Sequence, residues 1–543
     1  MDVIKTSLII GIGLTLYYLL LQWPNEAGLY SESPGTIIET EGKVDSEYSL
    51  TEPLSPLSPL SDNKPKNLSE SVEVFEIEND DLSIFVEKST GRFTISFLKN
   101  VFLEKGGEDP FVVLDPNNSY SANSGFYTRT QGYLKPNFTK ISEDLGVNGK
   151  NIYVLEGTAN GIAFRKKIEM DVRGYEINIQ DEIQSSMSED IDITPYVLLE
   201  RDDSPVKESG LMYTYLGPVF SSSKDTYEKY DFDDIKDSPY QNKTQGGWVA
   251  FIQHYFLTAW IPNQNAEHLY QARYSQGSER YSIGYTSADS VLSYGKVVKS
   301  NNTFYVGPKL PKQLANIEEN LDLTVDYGFL WWLGKPMYWF LDLGHSLFNN
   351  WGLAIIFLTV ALKLLTWPLS AKAYVSMGKM RELAPKMQLL QEKHGDNRQA
   401  MSQELMEMYK KEGVNPLGGC LPMLAQMPFF LAFYWVLLET VELRHSPFFL
   451  WIDDLSAMDP YFILPILNGA GMYLSQKLTP TPPNADPMQA QMMKFFPLIF
   501  AVIFAWFPSG LVLYWLVNMI IQIFQQWWYS RGTKYGTGSV GSG

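Results

Sequence analysis

Cys420 is the single cysteine of the 543 residues, so no intrachain disulfide can form, and any part of the chain in an oxidising compartment is held by packing alone. Histidine is scarce too. His254, His268, His345, His394 and His445 are scattered without ligand spacing, which leaves no zinc-type site to propose. No Walker A run occurs, and Gly11-Ile12-Gly13 lacks both the third glycine and the preceding strand of a dinucleotide loop. The chain is therefore expected to work without metal, cofactor or nucleotide. An excess of positive charge is also missing: 43 Lys+Arg stand against 61 Asp+Glu, for a net charge of −18. Such a balance argues against DNA or any other nucleic acid as a direct partner. The deficit is one-sided, since residues 1–327 carry −20 and residues 328–543 carry +2. The acidic part should be water-soluble, whereas the other contains most of the long apolar runs and reads as a membrane bundle.

Thr6 to Trp23 is an apolar run behind Lys5, which suits an uncleaved signal anchor (1–24) with its N-terminus in the cytoplasm. A removed signal peptide is the alternative. Residues 25–67 form an acidic linker of low complexity around Pro53, Pro56 and Pro59. The hydrophobic period then becomes two, in Phe93, Ile95 and Phe97, in Tyr175, Ile177 and Ile179, and in Tyr281, Ile283 and Tyr285, with a hairpin signal at Asn160-Gly161. Residues 68–310 are expected to form a large antiparallel β-sandwich on the far side of the membrane from Lys5. Its carboxylates, among them Asp202-Asp203 and Asp231 to Asp237, read as solvated loops, because nothing pairs any two of them as acid and base.

Residues 311–350 mix Trp331, Trp332, Tyr338, Trp339, Phe340 and Phe348 with Lys335, Asp342 and His345, a pattern for an amphipathic helix lying in the membrane interface. Trp351 to Ser370 then reads as a spanning helix with Lys363 well inside it. A charge within a span costs roughly 3 kcal/mol on insertion scales, so it calls for a wet cavity or a partner. Thr359, four residues before Lys363, and Thr366, three after, complete one polar stripe, which is expected to line a pocket. The alternative is that Lys363 snorkels to the headgroups.

Residues 371–416 contain eight basic residues, which assigns them to the cytoplasm. Leu383, Met387 and Leu390 share one face, as do Met401, Leu405 and Met408, with Gly395-Asp396-Asn397 as a turn: two short helices in a hairpin. Its methionines, Met406 included, either present an adaptable docking surface or fill the hairpin's own core. Four further apolar segments follow, at about 419–438, 461–477, 494–507 and 511–529, separated by the acidic outer loop 441–460 and by Phe507-Pro508-Ser509-Gly510 as a tight outer turn. Six spans result, with both termini inside and a tail at 531–543. Phe495 to Phe507 is short for a bilayer core and would thin the membrane locally. Gln426 in one span and Tyr514, Asn518, Gln522 and Gln525 in the last add polar groups, open either to a cavity or to interhelical hydrogen bonds.

Asn415-Pro416-Leu417-Gly418-Gly419-Cys420-Leu421-Pro422, Gln426-Met427-Pro428, Phe507-Pro508-Ser509-Gly510 and Gly247-Trp248-Val249-Ala250 resemble, in this order of domains, the YidC family of membrane protein insertases of the Gram-negative type. The resemblance covers most of the chain. It implies a bacterial inner-membrane protein with a periplasmic β domain, an anchor helix, and a five-helix core (351–530) whose groove opens to cytoplasm and lipid and is closed outside. The family's groove charge is usually arginine; the matching position here is Lys363, which keeps the charge without the bidentate fork. By the same resemblance Met427, Pro428, Leu498, Ala501, Ile503 and Tyr514 match positions that contact the incoming substrate helix. The implied activity is non-enzymatic insertion and chaperoning of nascent inner-membrane proteins, with or without the Sec translocon, with ribosome and targeting factors meeting the chain at 371–416. Two rival classes remain. A secondary transporter using Lys363 would show internal repeats, which are not seen. A membrane-anchored carbohydrate-active protein leaves five further spans unexplained.

Overall fold

A computed structural model describes residues 73–205, 214–394, 398–412, 421–478 and 487–531. The anchor expected at 1–24, the linker at 25–67, the turn Gly395-Asp396-Asn397, the motif residues Asn415 to Cys420 and all but the first residue of the tail lie outside the described residues. The chain divides into two compact units: one ends at Val325 and includes Glu439–Glu442, the other holds Asp326–Leu438 and the residues from Leu443 onward.

The first unit is the expected β-sandwich. Among the described residues, an eleven-stranded sheet and a nine-stranded sheet pack face to face, all strand pairs being antiparallel. At the centre of the first sheet Ser121–Thr128, Ile191–Arg201, Arg280–Ser287 and Glu267–Ser275 lie side by side; the second is centred on Phe256–Ile261, Val297–Pro308, Glu176–Ser185 and Ile162–Asp171. Alternation supplies the core, since Tyr281, Ile283 and Tyr285 from one sheet and Ile177, Ile179 and Phe304 from the other all point inward and are buried. Phe93 stacks on Phe304 at 5.6 Å, and Trp260 donates its indole N–H to the Leu198 carbonyl at 3.2 Å. A charged group is sealed into the same interior. Lys166 Nζ lies 2.9 Å from Asp181 Oδ1 across paired strands, and Ser124 Oγ donates to Asp181 Oδ2 at 2.6 Å.

Two local signals act as chemistry requires. Asn160 and Gly161, with φ of 51° and 77°, join Lys150–Ala159 to Ile162–Asp171 in a two-residue hairpin. Gly247 has φ of +88°, and a Cβ there would lie 2.0 Å from the Ser221 carbonyl oxygen, so glycine is required where Trp248, Val249 and Ala250 enter the core. Two expectations change. Ile95 and Phe97 do not share Phe93's inward face: a bulge between Phe85 and Val86 shifts the register, and Ser96 and Leu98 are the buried residues. Asp231 to Asp237 is not a loop but a helix, Phe232–Asp237, whose N-cap Asp231 and Asp234 form a capping box.

The second unit is helical: α1 (Trp331–Phe348), α2 (Trp351–His394), α3 (Arg398–Glu412), α4 (Leu421–Glu439), α5 (Ile463–Leu478), α6 (Pro487–Phe504) and α7 (Ser509–Arg531). Helix α1 exposes Trp331, Trp332, Trp339 and Phe348 while burying Met337 and Leu341. By length and composition Trp351–Ser376 is the one described helix long and apolar enough to cross a bilayer, and Gln426–Glu439 and Lys494–Phe504 are shorter apolar stretches. At 1.5 Å per residue the latter covers about 16 Å of a core of roughly 30 Å. Helix α2 packs on α1 and α7, and α5 on α6 and α7. Small residues bring α5 and α6 together, for a Cβ on Gly469 would come 2.8 Å from that of Ala501.

The hairpin differs from expectation in its first arm. No separate short helix begins after residue 370; α2 runs unbroken to His394 through Pro368 and Pro385. The second arm, α3, folds back on it through Lys386–Glu412 at 2.7 Å and Lys393–Glu404 at 3.0 Å, with Leu383 and Met387 buried between the arms. The loop between α4 and α5 is knit tightly. Asp459 accepts from Trp451 Nε1 at 3.0 Å and from the Leu464 amide at 2.6 Å, while Ser509 and Gly510 donate their amides to Ala457 and Leu455 at 2.7 and 2.9 Å. The Phe507 to Gly510 motif thus leads from the turn after α6 into the first residues of α7, pinned to this loop.

Candidate functional site

Helix α2 turns a polar edge inward beside the buried Ala354, Ile355 and Leu358, and an apolar face outward. Thr359, Lys363 and Ser370 are buried, whereas Leu364 and Leu365 are 63% and 69% exposed. A span surrounded by lipid and protein sorts residues this way when its polar groups have protein or water to face. Lys363 is 4% exposed, and its Nζ points at Gln426 Oε1 of α4, 3.5 Å away. The ammonium therefore sits against a protein acceptor.

The two threonines behave differently from free lining groups. Thr359 Oγ1 donates to the Ile355 carbonyl at 2.6 Å and Thr366 Oγ1 to that of Leu362 at 2.9 Å, both four residues back. Their hydrogens are spent on their own helix, so toward the interior they act only as acceptors.

Helix α7 supplies the facing stripe. Tyr514 is buried, with its ring centroid 4.7 Å from that of Phe433, and its hydroxyl accepts from Asn518 Nδ2 at 3.4 Å. Asn518 and Gln522 are half-buried on the same side, and Tyr529, near the C-terminal end of α7, accepts from Trp367 Nε1 of α2 at 3.0 Å. Gln525 lies between them, 0% exposed, and neither its Oε1 nor its Nε2 has a hydrogen-bond partner among the described residues. Sequence periodicity places Gln525 on the stripe but does not single it out; only burial does.

Trp515 connects the flanking helices. Its ring is 4.7 Å from Phe430 of α4 and 5.4 Å from Phe504 of α6, so both helices border one face of α7. On these two helices Met427, Pro428, Leu498 and Ile503 are exposed apolar residues. Ala501 and Tyr514 are not part of that exposed set: the first is half-covered against Gly469 and the second lies under Phe433.

Two family models match in succession, one described as the YidC periplasmic domain over residues 74–340 and one as the 60Kd inner membrane protein over residues 343–536. A membrane protein insertase YidC from Marinomonas sp. is 40% identical over 529 residues, which is 94% of this chain and 95% of that one. The chain belongs to the YidC family of membrane protein insertases. Other YidC insertases match as fully: that of Actinobacillus succinogenes is 43% identical over 85% of this chain and 87% of its own, and that of Pasteurella multocida 40% identical over 98% of each. A solved YidC insertase with its first transmembrane domain resolved is similar at 17% identity over 87% of this chain and 94% of that one, with a TM-score of 0.38. As a YidC insertase, the chain is an inner-membrane protein, and its β-sandwich is the periplasmic domain.

Proposed function

We propose that this YidC insertase moves the short polar tail of a nascent membrane protein through a hydrophilic groove lined by Lys363, Thr359, Thr366, Gln426, Tyr514, Asn518 and Gln522, while the apolar segment leaves along Met427, Pro428, Leu498, Ala501 and Ile503 into lipid. The observation that carries this reading is the pairing of opposites: a buried ammonium beside Gln426, and one residue further along α4 an exposed Met427. A polar tail stays solvated in such a groove until little hydrocarbon remains, which lowers the cost of crossing. The short apolar stretch of α6 shortens that distance by thinning the bilayer. Burial of the client helix in lipid supplies the drive, so neither nucleotide nor catalysis is needed. The reading includes six spans with both termini in the cytoplasm, a groove closed on the periplasmic side, clients delivered by ribosome and targeting factors at 371–416, and action alone or beside the Sec translocon.

A photo-crosslinker at position 427 is expected to capture the apolar segment of a client stalled on its ribosome, and one on the outward side of α2 at Leu364 is not. Equal capture at both positions would mean that clients meet the protein from lipid at random. Orientation has its own test, because the eight basic residues of 371–416 fix it. A cysteine at Ser402, in a background lacking Cys420, should be labelled only by reagent admitted to the cytoplasm, and one at Ser456 from outside; the reverse pattern inverts the topology.

A further inference from the structure

The loop between α4 and α5 presents apolar side chains on backbone that disfavours them. Leu450 is 86% exposed and has a φ of +58°, and Phe462, also exposed, has a φ of +56°. Glycine, asparagine and aspartate are at home in this left-handed region, whereas a bulky side chain is strained there. Leu450 sits in a tight turn, closed by the Ile452 amide on the Phe449 carbonyl at 3.2 Å and by the Phe448 amide on the Ile452 carbonyl at 2.9 Å. Such a turn calls for asparagine or glycine. Neither turn chemistry nor burial within the protein accounts for a leucine at this position.

The base of the turn is fixed to the start of the spanning helix. Asn350 Nδ2 donates to the Pro447 and Phe448 carbonyls, each at 3.4 Å, and a Cβ on Gly352 would come 2.0 Å from Phe448 Cδ2, so the Phe448 ring lies flat on the first turn of α2. Leu455, whose amide donates to the Ser446 carbonyl at 3.0 Å, sits one helical turn further along: a Cβ on Gly510 would lie 3.1 Å from its carbonyl oxygen and 3.2 Å from Ile355 Cδ1. The loop thus runs beside residues 350–355, and the tip formed by Phe449 and Leu450 follows directly on Phe448. Trp351–Ser376 is long and apolar enough to cross a bilayer, so its first residues mark the boundary between headgroups and acyl chains. A second exposed tip, Tyr461 and Phe462, is tied to the first through Trp451 Nε1, which donates to Asp459 Oδ1 at 3.0 Å.

We propose that this loop is a lipid anchor: Phe449 and Leu450 enter the acyl boundary of one leaflet, with Tyr461 and Phe462 lying along the same boundary. Single exposed apolar residues are ordinary, but four gathered on two linked tips make a patch that water does not favour. The bilayer is the occupant that α2 itself brings to this level. Burial of Leu450 in lipid offsets the strain of its backbone, and the hydrogen-bonded base keeps the tip from folding back onto the protein. The inference rests on Trp351–Ser376 crossing the membrane, not on which end faces the cytoplasm or on the groove.

The test uses the full, unsubstituted chain in nanodiscs of phosphatidylethanolamine and phosphatidylglycerol, doped with a phospholipid that carries a diazirine near the ester end of its acyl chain. After illumination, mass spectrometry should find lipid adducts on Phe449 and Leu450 at a yield comparable to that on Leu364 and Leu365, which are exposed on the span. Adducts on Leu364 and Leu365 with none on the tip overturn the proposal, keep the span, and leave the tip to water or a partner protein. Absence from both places overturns the crossing by α2 and the proposal with it. Asparagine suits the turn, so Leu450→Asn should leave exchange of the Ile452 and Leu455 amides unchanged while adducts on Phe449 fall at least about fivefold as the polar tip withdraws. Faster exchange at those amides with adducts undiminished would show that Leu450 serves the loop from within, and would also overturn the proposal.

Discussion

Lys363→Arg is expected to preserve insertion, and Lys363→Ala to impair most the clients whose translocated tail is acidic. The reason is electrostatic. A tail carboxylate about 6 Å from the ammonium, at an effective dielectric near 20, gains on the order of 3 kcal/mol, enough to offset much of its partial desolvation. Its loss corresponds to an upper limit of roughly a hundredfold in rate. Clients with uncharged tails never have that gain and should lose less. Arginine keeps the charge, though its planar fork will not reproduce the single contact that Lys363 makes with Gln426 Oε1 at 3.5 Å. The measurement is insertion of matched clients, differing only in tail charge, into vesicles holding each variant. If Ala inserts the acidic-tail client as well as the parent does, the groove charge has no such role.

What was legible in the sequence is what depends on neighbours a few residues apart. Asn160-Gly161 announces its hairpin because both residues tolerate positive φ, and Lys363 announces itself because a charge inside an apolar run is costly wherever the run folds. Pairing across long separations is where sequence reasoning stops. The bulge at Phe85 and Val86 turns Ile95 and Phe97 away from the face that Phe93 shares, a change no inspection of Phe93 to Phe97 can reveal. The threonine hydroxyls fall on the predicted stripe, yet the acceptors they use are carbonyls of their own helix, which spacing alone does not decide. Continuity of α2 through Pro385 was hidden for the opposite reason: proline and a change to polar composition read as a boundary, while the contacts with α3 carry the helix onward.

The same dependence on register underlies the largest stability effect expected in the β domain. Lys166 and Asp181 face each other across paired strands inside the sandwich, with side chains 3% and 6% exposed. Ser124 completes the cluster, accepting from Lys166 Nζ at 2.7 Å while its carbonyl accepts from the same nitrogen at 3.0 Å. A desolvated ion pair of this kind adds little net stability, but removing one partner strands the other. Asp181→Ala should therefore cost about 3–5 kcal/mol, because the buried Lys166 side chain loses its carboxylate partner. The double variant Lys166→Met/Asp181→Leu should lie within about 1–2 kcal/mol of the parent, since the site is then apolar throughout. Hydrogen exchange of peptides from Ile162–Asp171 and Glu176–Ser185 reads this locally, whatever the membrane helices do. Protection there should fall by about two to nearly four orders of magnitude in Asp181→Ala, the factor that 3–5 kcal/mol implies, and largely return in the double variant. A single variant that loses less than tenfold would mean that water reaches the pair, and that the sandwich interior is less dry than its burial indicates.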